Sequence, residues 1–412
     1  MSEVTDGEDD RPAAPLLAPR DGVPDVVNTA EGVAKAAAAL ASGNGPLAVD
    51  AERASGFRYS ARAYLIQLRR RGAGTVLLDP IPTSSDLAAL AAAINPLEWI
   101  LHSADQDLPG LAELDLTPDR LYDTELAGRL AGFDRVGLAA IVERTLGYEL
   151  RKGHGAADWS KRPLPDSWLN YAALDVEVLV ELREEMAAEL DRQGKTEWAA
   201  QEFEYIRLAG PPKPKPDRWR RLAHVTTLKT ARQLAVARSL WQAREDLARK
   251  RDVSPNRVLP DSAIINASRE IPVSIEQLRA LPVFGGPRQR RHSRHWLHAI
   301  EVARALPEDE LPTKRPVTTG PPPANKWARV DPEAAERLTA ARSSLAELSE
   351  RVAVPVENLV TPELVRRLCW DWSPVEPNRV DTVVEKTLAA GGARPWQLEL
   401  SVPVLTDALR AE

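Results

Sequence analysis

Two proline-rich interruptions decide how this chain can fold. Pro211-Pro-Lys-Pro-Lys-Pro216 and the stretch from Pro307 to Asn325, which contains Pro321-Pro-Pro323, favour stiff, extended backbone that no helix interior or inner strand tolerates. They cut the 412 residues into three folded parts, in keeping with roughly 100 to 200 residues per domain. We read 25–208 as the first part, 209–217 and 307–327 as linkers, and 218–306 and 328–412 as two smaller parts. Residues 1–24 are acidic, rich in Ala and Pro and without helical periodicity, and are expected to form a disordered tail that adds nothing to a core.

The first part opens with a helical pattern from Thr29 to Ala41. Short apolar runs of strand type follow at Leu47–Glu52, Ala63–Leu68, Thr75–Leu78 and Trp99–His102, and helical patterns dominate afterwards. Early strands with later interleaved helices predict an α/β fold with a mixed sheet. The other two parts read as helical and resemble each other at an offset of 101 residues. Leu247, Val253, Val258 and Leu259 correspond to Leu348, Val354, Leu359 and Val360, which predicts an internal duplication.

The formal charge of -6 conceals an uneven distribution. Residues 211–310 carry 20 Lys and Arg against 11 Asp and Glu, whereas 331–412 carry 9 against 14, so the two helical parts are expected to differ in role. The single cysteine, Cys369, excludes an internal disulfide framework and is expected to be a small buried hydrophobe in a reducing cytoplasm. The start of the chain lacks the basic and apolar segments of a signal peptide, and no run of about 18 apolar residues predicts a membrane span.

Three motifs bring together groups able to do chemistry. Asp50 and Glu52 end the apolar run Pro46-Leu-Ala-Val-Asp-Ala-Glu52, and residues at i and i+2 of a strand share a face. Paired carboxylates suit hard cations such as Mg²⁺ or Mn²⁺, and two such ions assist phosphodiester hydrolysis. Asp107 follows a second strand, in Trp99-Ile-Leu-His-Ser-Ala-Asp-Gln-Asp-Leu108. Tyr171 and Asp175, four apart in Trp168-Leu-Asn-Tyr-Ala-Ala-Leu-Asp-Val176, lie on one helical face. Taken singly, each has a plainer reading: a solvated strand end, a helix N-cap, and a core tyrosine beside a surface aspartate.

In this order and spacing, Asp50-x-Glu52, His102 with Asp107-Leu108 five residues on, and Tyr171-x-x-x-Asp175 resemble the three motifs of the four-carboxylate 3'-5' exonucleases in their tyrosine variant. Leu65-Ile-Gln-Leu68, Lys152 and Asp158-Trp-Ser-Lys-Arg-Pro-Leu164 are similar to ribonuclease D in particular. The two helical parts resemble the helicase-and-ribonuclease-D C-terminal (HRDC) domain, more clearly over 229–305 than over 331–410.

The resemblance implies a ribonuclease H-like mixed sheet flanked by helices, then two small all-α domains. It further implies a two-metal hydrolysis using Mg²⁺ or Mn²⁺. Asp50, Glu52 and Asp175 would hold the metal that activates water, and Asp50, with Asp107 through bound water, the metal at the leaving oxygen. Tyr171 would orient the attacking water. Substrates would be RNA 3' ends, such as transfer RNA precursors, and products 5'-nucleoside monophosphates. Two alternatives stay open at this stage: an exonuclease acting on DNA, and a nucleic-acid-binding protein with a silent site.

Arg288-Gln-Arg-Arg-His-Ser-Arg-His-Trp296 is a candidate nucleic-acid contact: Arg288, Arg290, Arg291 and Arg294 would neutralise phosphates and Trp296 would stack on a base, against the plainer reading of a basic helix with Trp296 in the core. Trp219, Trp241, Trp370 and Trp372 are expected to anchor helical cores. Gly194-Lys195-Thr196 lacks the P-loop's first glycine, since position 189 is Glu189. His292, His295 and His298 fan around one helix without a thiolate and are set aside as a zinc site. No oligomerisation signal is seen, so a monomer is expected.

Overall fold

The computed structural model describes residues 13–151, 153–211, 216–314, 320–373 and 375–410. Its centre is a six-stranded mixed sheet in the first part. The strands of the first part are β1 (Ala14–Leu16), β2 (Val26–Val27), β3 (Asn44–Arg53), β4 (Ala63–Arg71), β5 (Gly74–Leu78), β6 (Glu98–Leu101), β7 (Arg120–Asp123) and β8 (Tyr148–Leu150). The main sheet runs β2-β5-β4-β3-β6-β7. β4 pairs antiparallel with both β3 and β5, and β6 and β7 continue parallel from β3. Leu47, Ala48 and Val49 of β3 are buried because helices cover both faces of this central strand.

The helix expected from Thr29 forms over Ala30–Ser42, with the Thr29 hydroxyl accepting from the Gly32 N–H. The three acidic motifs then occupy one end of the sheet, where β3 and β6 finish and the helix Asp166–Glu177 packs across β3, β4 and β5. That helix is anchored by the Asp158–Leu164 segment. Trp159 is fully buried with Tyr64, Leu65 and Leu77, and the Arg162 guanidinium forks onto Asp79 at 2.5 and 2.8 Å. Lys152 and residues 1–12 lie outside the described residues.

The expected tail does not hold for residues 14–24. β1 pairs in parallel with β8, Asn170 Nδ2 donates to Leu17 O (2.9 Å), and Arg20 pairs with Glu181. Such pairing draws on backbone groups, which Ala14-Pro-Leu16 offers without any alternating apolar pattern to betray it. The second linker also differs from expectation. Trp327 is fully buried with its indole N–H bonded to Pro322 O, and Leu311 packs on the middle part, so both ends of the segment are built into folded structure.

Both later parts are helical among the described residues. Their longest helices, Ala231–Arg251 and Pro332–Val352, have 21 residues each, start 101 positions apart, and end in left-handed residues Asp252 (φ 48°) and Ala353 (φ 48°). Trp219 is buried, and Trp241, Trp370 and Trp372 pack partly buried against the cores. Cys369 is buried. The middle part has a core of its own, whereas the last part shares one continuous core with the first. Among the described residues no helix is long and apolar enough to cross a membrane.

Candidate active site

β3 presents Asp50 and Glu52 two residues apart on one face, opposite Gln67 and Leu65 of β4. The helix Asp166–Glu177 brings Asp175 to the same point, and carboxylate oxygens of Asp50, Glu52 and Asp175 lie within 4.8 Å of one another. Asp107 stands just after the turn that leaves β6. That turn is forced by Ser103 in the left-handed region (φ 62°, ψ 56°), and its N–H and that of Ala104 are held by the Asp123 carboxylate. The Asp107 side chain caps no helix, and its buried Oδ1 has no hydrogen-bond partner, so the plain capping reading fails. These groups line a cleft of about 630 Å³ that also contains Arg53, His102 and Tyr171.

The electrostatics follow from crowding carboxylates in a recess where Glu52 and Asp107 are buried and Asp50 and Asp175 half-buried. Burial, compounded by the charges of Asp50, Asp175 and Asp107, pushes Glu52 up to about 9. Burial and then the Asp50 charge push Asp107 up to about 8, and Asp50 and Asp175 are raised for the same leading reason. Burial lowers His102 to about 4, so its ring is neutral at pH 7; its Nδ1 sits 2.9 Å from the Thr124 hydroxyl oxygen. Burial, then the neighbouring Asp175, raises the Tyr171 phenol, which therefore stays protonated.

The acidic groups offer hard oxygens, including the buried Asp107 Oδ1 that accepts no hydrogen bond, and this donor set fits divalent cations of the Mg²⁺ type. Two further residues were missed in the sequence. Arg53 Nη1 donates to Gln106 O (2.6 Å) and Nη2 lies 3.6 Å from Asp107 Oδ1, tying the end of β3 to the Asp107 turn. Its position directly after Asp50-x-Glu52 was the available signal. Gly153 lies so close on the Tyr171 ring that a Cβ there would fall 1.9 Å from Cδ2, which no sequence pattern announces.

The nucleic-acid candidates divide. Arg288, Arg290, Arg291 and Arg294 are exposed. Trp296 is fully buried with its indole N–H on Gln289 Oε1 (2.9 Å), which corrects the expected stacking role: the apolar stripe of the helix Ser293–Ala305 turns it into the core of the middle part.

Fold and site together define a nuclease of the 3'-5' exonuclease class. Residues 24–191 match the family described as "3'-5' exonuclease", 233–300 the "HRDC domain", and 320–409 the "3' to 5' exonuclease C-terminal domain". Ribonuclease D of Gluconacetobacter diazotrophicus is 30% identical over 68% of this chain and 72% of its own length. The chain belongs to the ribonuclease D family of 3'-5' exoribonucleases. Among solved structures, a protein from Bifidobacterium adolescentis is 38% identical with a TM-score of 0.90, covering 97% of this chain and 100% of that one. Escherichia coli RNase D, "an exoribonuclease involved in structured RNA processing", is 25% identical with a TM-score of 0.66 over 94% and 98% of the two chains.

Proposed function

We propose that this enzyme shortens RNA from its 3' end by two-metal hydrolysis with Mg²⁺ or Mn²⁺, acting on transfer RNA precursors or other stable RNA and releasing 5'-nucleoside monophosphates. The observation that carries the reading is the convergence of Asp50, Glu52 and Asp175 within 4.8 Å, in a cleft also lined by Asp107, whose buried Oδ1 accepts no hydrogen bond. Asp50, Glu52 and Asp175 would hold one cation and Asp50 with Asp107 the other. When bound, the cations lower the pKa of the attacking water and offset charge developing on the phosphate.

The chain's own groups then act by placement. Tyr171, in the tyrosine form of the site, keeps its proton and orients the water through its hydroxyl. Neutral His102 offers no cation to the phosphate. Water adds its hydroxyl to phosphorus as the bond to the 3' oxygen breaks, and that oxygen leaves as a hydroxyl with the second proton.

The exposed Arg288, Arg290, Arg291 and Arg294 would carry the RNA backbone toward the cleft, supported by the contact of Arg288 with Arg257 O beside the cleft rim (3.1 Å). The last helical part would be a diverged copy of the first, an idea supported by the 101-residue offset of the two long helices. We read the protein as a cytoplasmic monomer.

Digestion of a 3'-extended transfer RNA with Mg²⁺, Mn²⁺ or EDTA tests the proposal, with products resolved by length. Stepwise 3' shortening that disappears with EDTA and with Asp175→Ala is expected. Unchanged shortening by Asp175→Ala sinks the site assignment, and faster loss of the matching DNA strand sinks the RNA preference.

A further inference from the structure

β3 ends at Arg53 and β4 starts at Ala63, and the loop between them supplies Ser55 and Gly56 to the wall of the catalytic cleft. This loop is not held by the first part alone. The Ser60 N–H donates to Asp252 Oδ1 (2.8 Å) and the Tyr64 hydroxyl to Asp252 Oδ2 (3.2 Å). Beside them the Ser254 N–H donates to Phe57 O (2.9 Å) and Arg257 Nε to Gly56 O (3.0 Å), with the Arg257 guanidinium 4.2 Å over the Phe57 ring.

All of these partners lie within residues 252–257 of the middle part, where the helix Ala231–Arg251 ends and the short helix Pro255–Val258 begins. Asp252 reaches the loop because its backbone is left-handed (φ 48°, ψ 51°), which swings its carboxylate off the helix axis; Asp and Asn tolerate that conformation better than most side chains. Left free, the loop over 54–62 next to Glu52 would sample many shapes at an entropic cost to any one of them.

We propose that Asp252 is a positioning residue for the hydrolytic reaction: the middle part clasps the β3–β4 loop and so shapes the catalytic rim, beyond any hold it has on RNA. This rests on the hydrolytic reading above. A middle part that only binds RNA is expected to affect KM for long substrates and to spare a dinucleotide, which is too short to span its exposed arginines. A clasp affects both.

The test uses the full chain and the variants Asp252→Gly and Asp252→Asn. Glycine keeps the left-handed turn while removing the carboxylate, and asparagine keeps an acceptor for Ser60. On a 5'-phosphorylated RNA dinucleotide, Asp252→Gly is expected to lower kcat by about tenfold to a hundredfold, the scale of a misplaced reacting geometry. Its melting temperature stays near the parent's, and Asp252→Asn recovers most of the rate. Loss confined to KM on long RNA, or no loss at all, overturns the proposal. If the parent cleaves neither substrate, the reaction assignment has failed on its own, and hydrogen exchange over 54–62 decides the clasp: exchange unchanged in Asp252→Gly overturns it, and faster exchange sustains it.

Discussion

Without a bound cation, burial and the neighbouring charges favour the protonated forms of Glu52 and Asp107, and this makes single residues visible to a titration. Glu52 has an ordinary value of 4.5 and rises to about 9, and Asp107 goes from 3.8 to about 8. Between those limits the folded chain binds more protons than the unfolded one, so stability falls as pH rises. In EDTA, the melting temperature is expected to decline from about pH 5 to about pH 9. Saturating Mg²⁺ should flatten the decline, since a cation replaces the protons, and Asp50→Asn should shrink it. A flat profile in EDTA would show that the carboxylates are not mutually strained. At this scale the sequence supplied the identity of the five central groups but not their state. Asp107 reads equally well as a helix cap until its side chain is seen to cap no backbone N–H, and Trp296 reads as a stacking platform until its burial is seen.

Among elements, the segment after β8 and the helix Asp166–Glu177 behave as a matched pair. Gly153 lies flat on Tyr171, and Trp159 and His154 bracket the same ring at 6.5 and 6.0 Å. Gly153→Ala is therefore expected to displace the phenol and cut kcat by about tenfold to a hundredfold while leaving KM for long RNA nearly unchanged. Steady-state kinetics on one RNA checks this, and an unaltered kcat would mean that Tyr171 takes no part in orienting water. β3, β4, β5 and β6 were legible because buried central strands are apolar runs bounded by turns. β1, β2 and β8 were not, having three residues or fewer with no room for a pattern, and β7 was not because its two central residues stand between Arg120 and Asp123; their pairing was settled by neighbours elsewhere in the chain.

In the whole molecule, the first and last parts are joined by a continuous core. Glu202 is buried against Arg394 at 2.5 and 2.7 Å and accepts from the Trp396 indole (2.8 Å), while Trp198 stacks on Trp396 at 5.1 Å. Lys195 Nζ donates to Leu130 O and to Ala353 O at the end of the long helix Pro332–Val352. Calorimetry is expected to show these two parts melting together, with the middle part separable. Trp396→Ala should lower the joint transition by about 3 to 5 kcal/mol, the range for emptying a large aromatic site, and separate melting of the last part would refute the shared core. The proline breaks marked where the parts divide, yet the composition of 328–412 carried no sign of which neighbour it would join, because complementarity across an interface is not a periodic property.

The helix Thr196–Leu208 closes the first part, but the tryptophan that covers Trp198 arrives near the far end of the chain. At a synthesis rate of about 5 to 20 residues per second, roughly 10 to 40 s pass on the ribosome between those two residues. Throughout that interval a half-built apolar surface and a buried-type glutamate face solvent, while the middle part can already fold. Birth order thus runs against assembly order, and an early stop codon would leave the clustered carboxylates of the cleft present on a body whose back wall was never made.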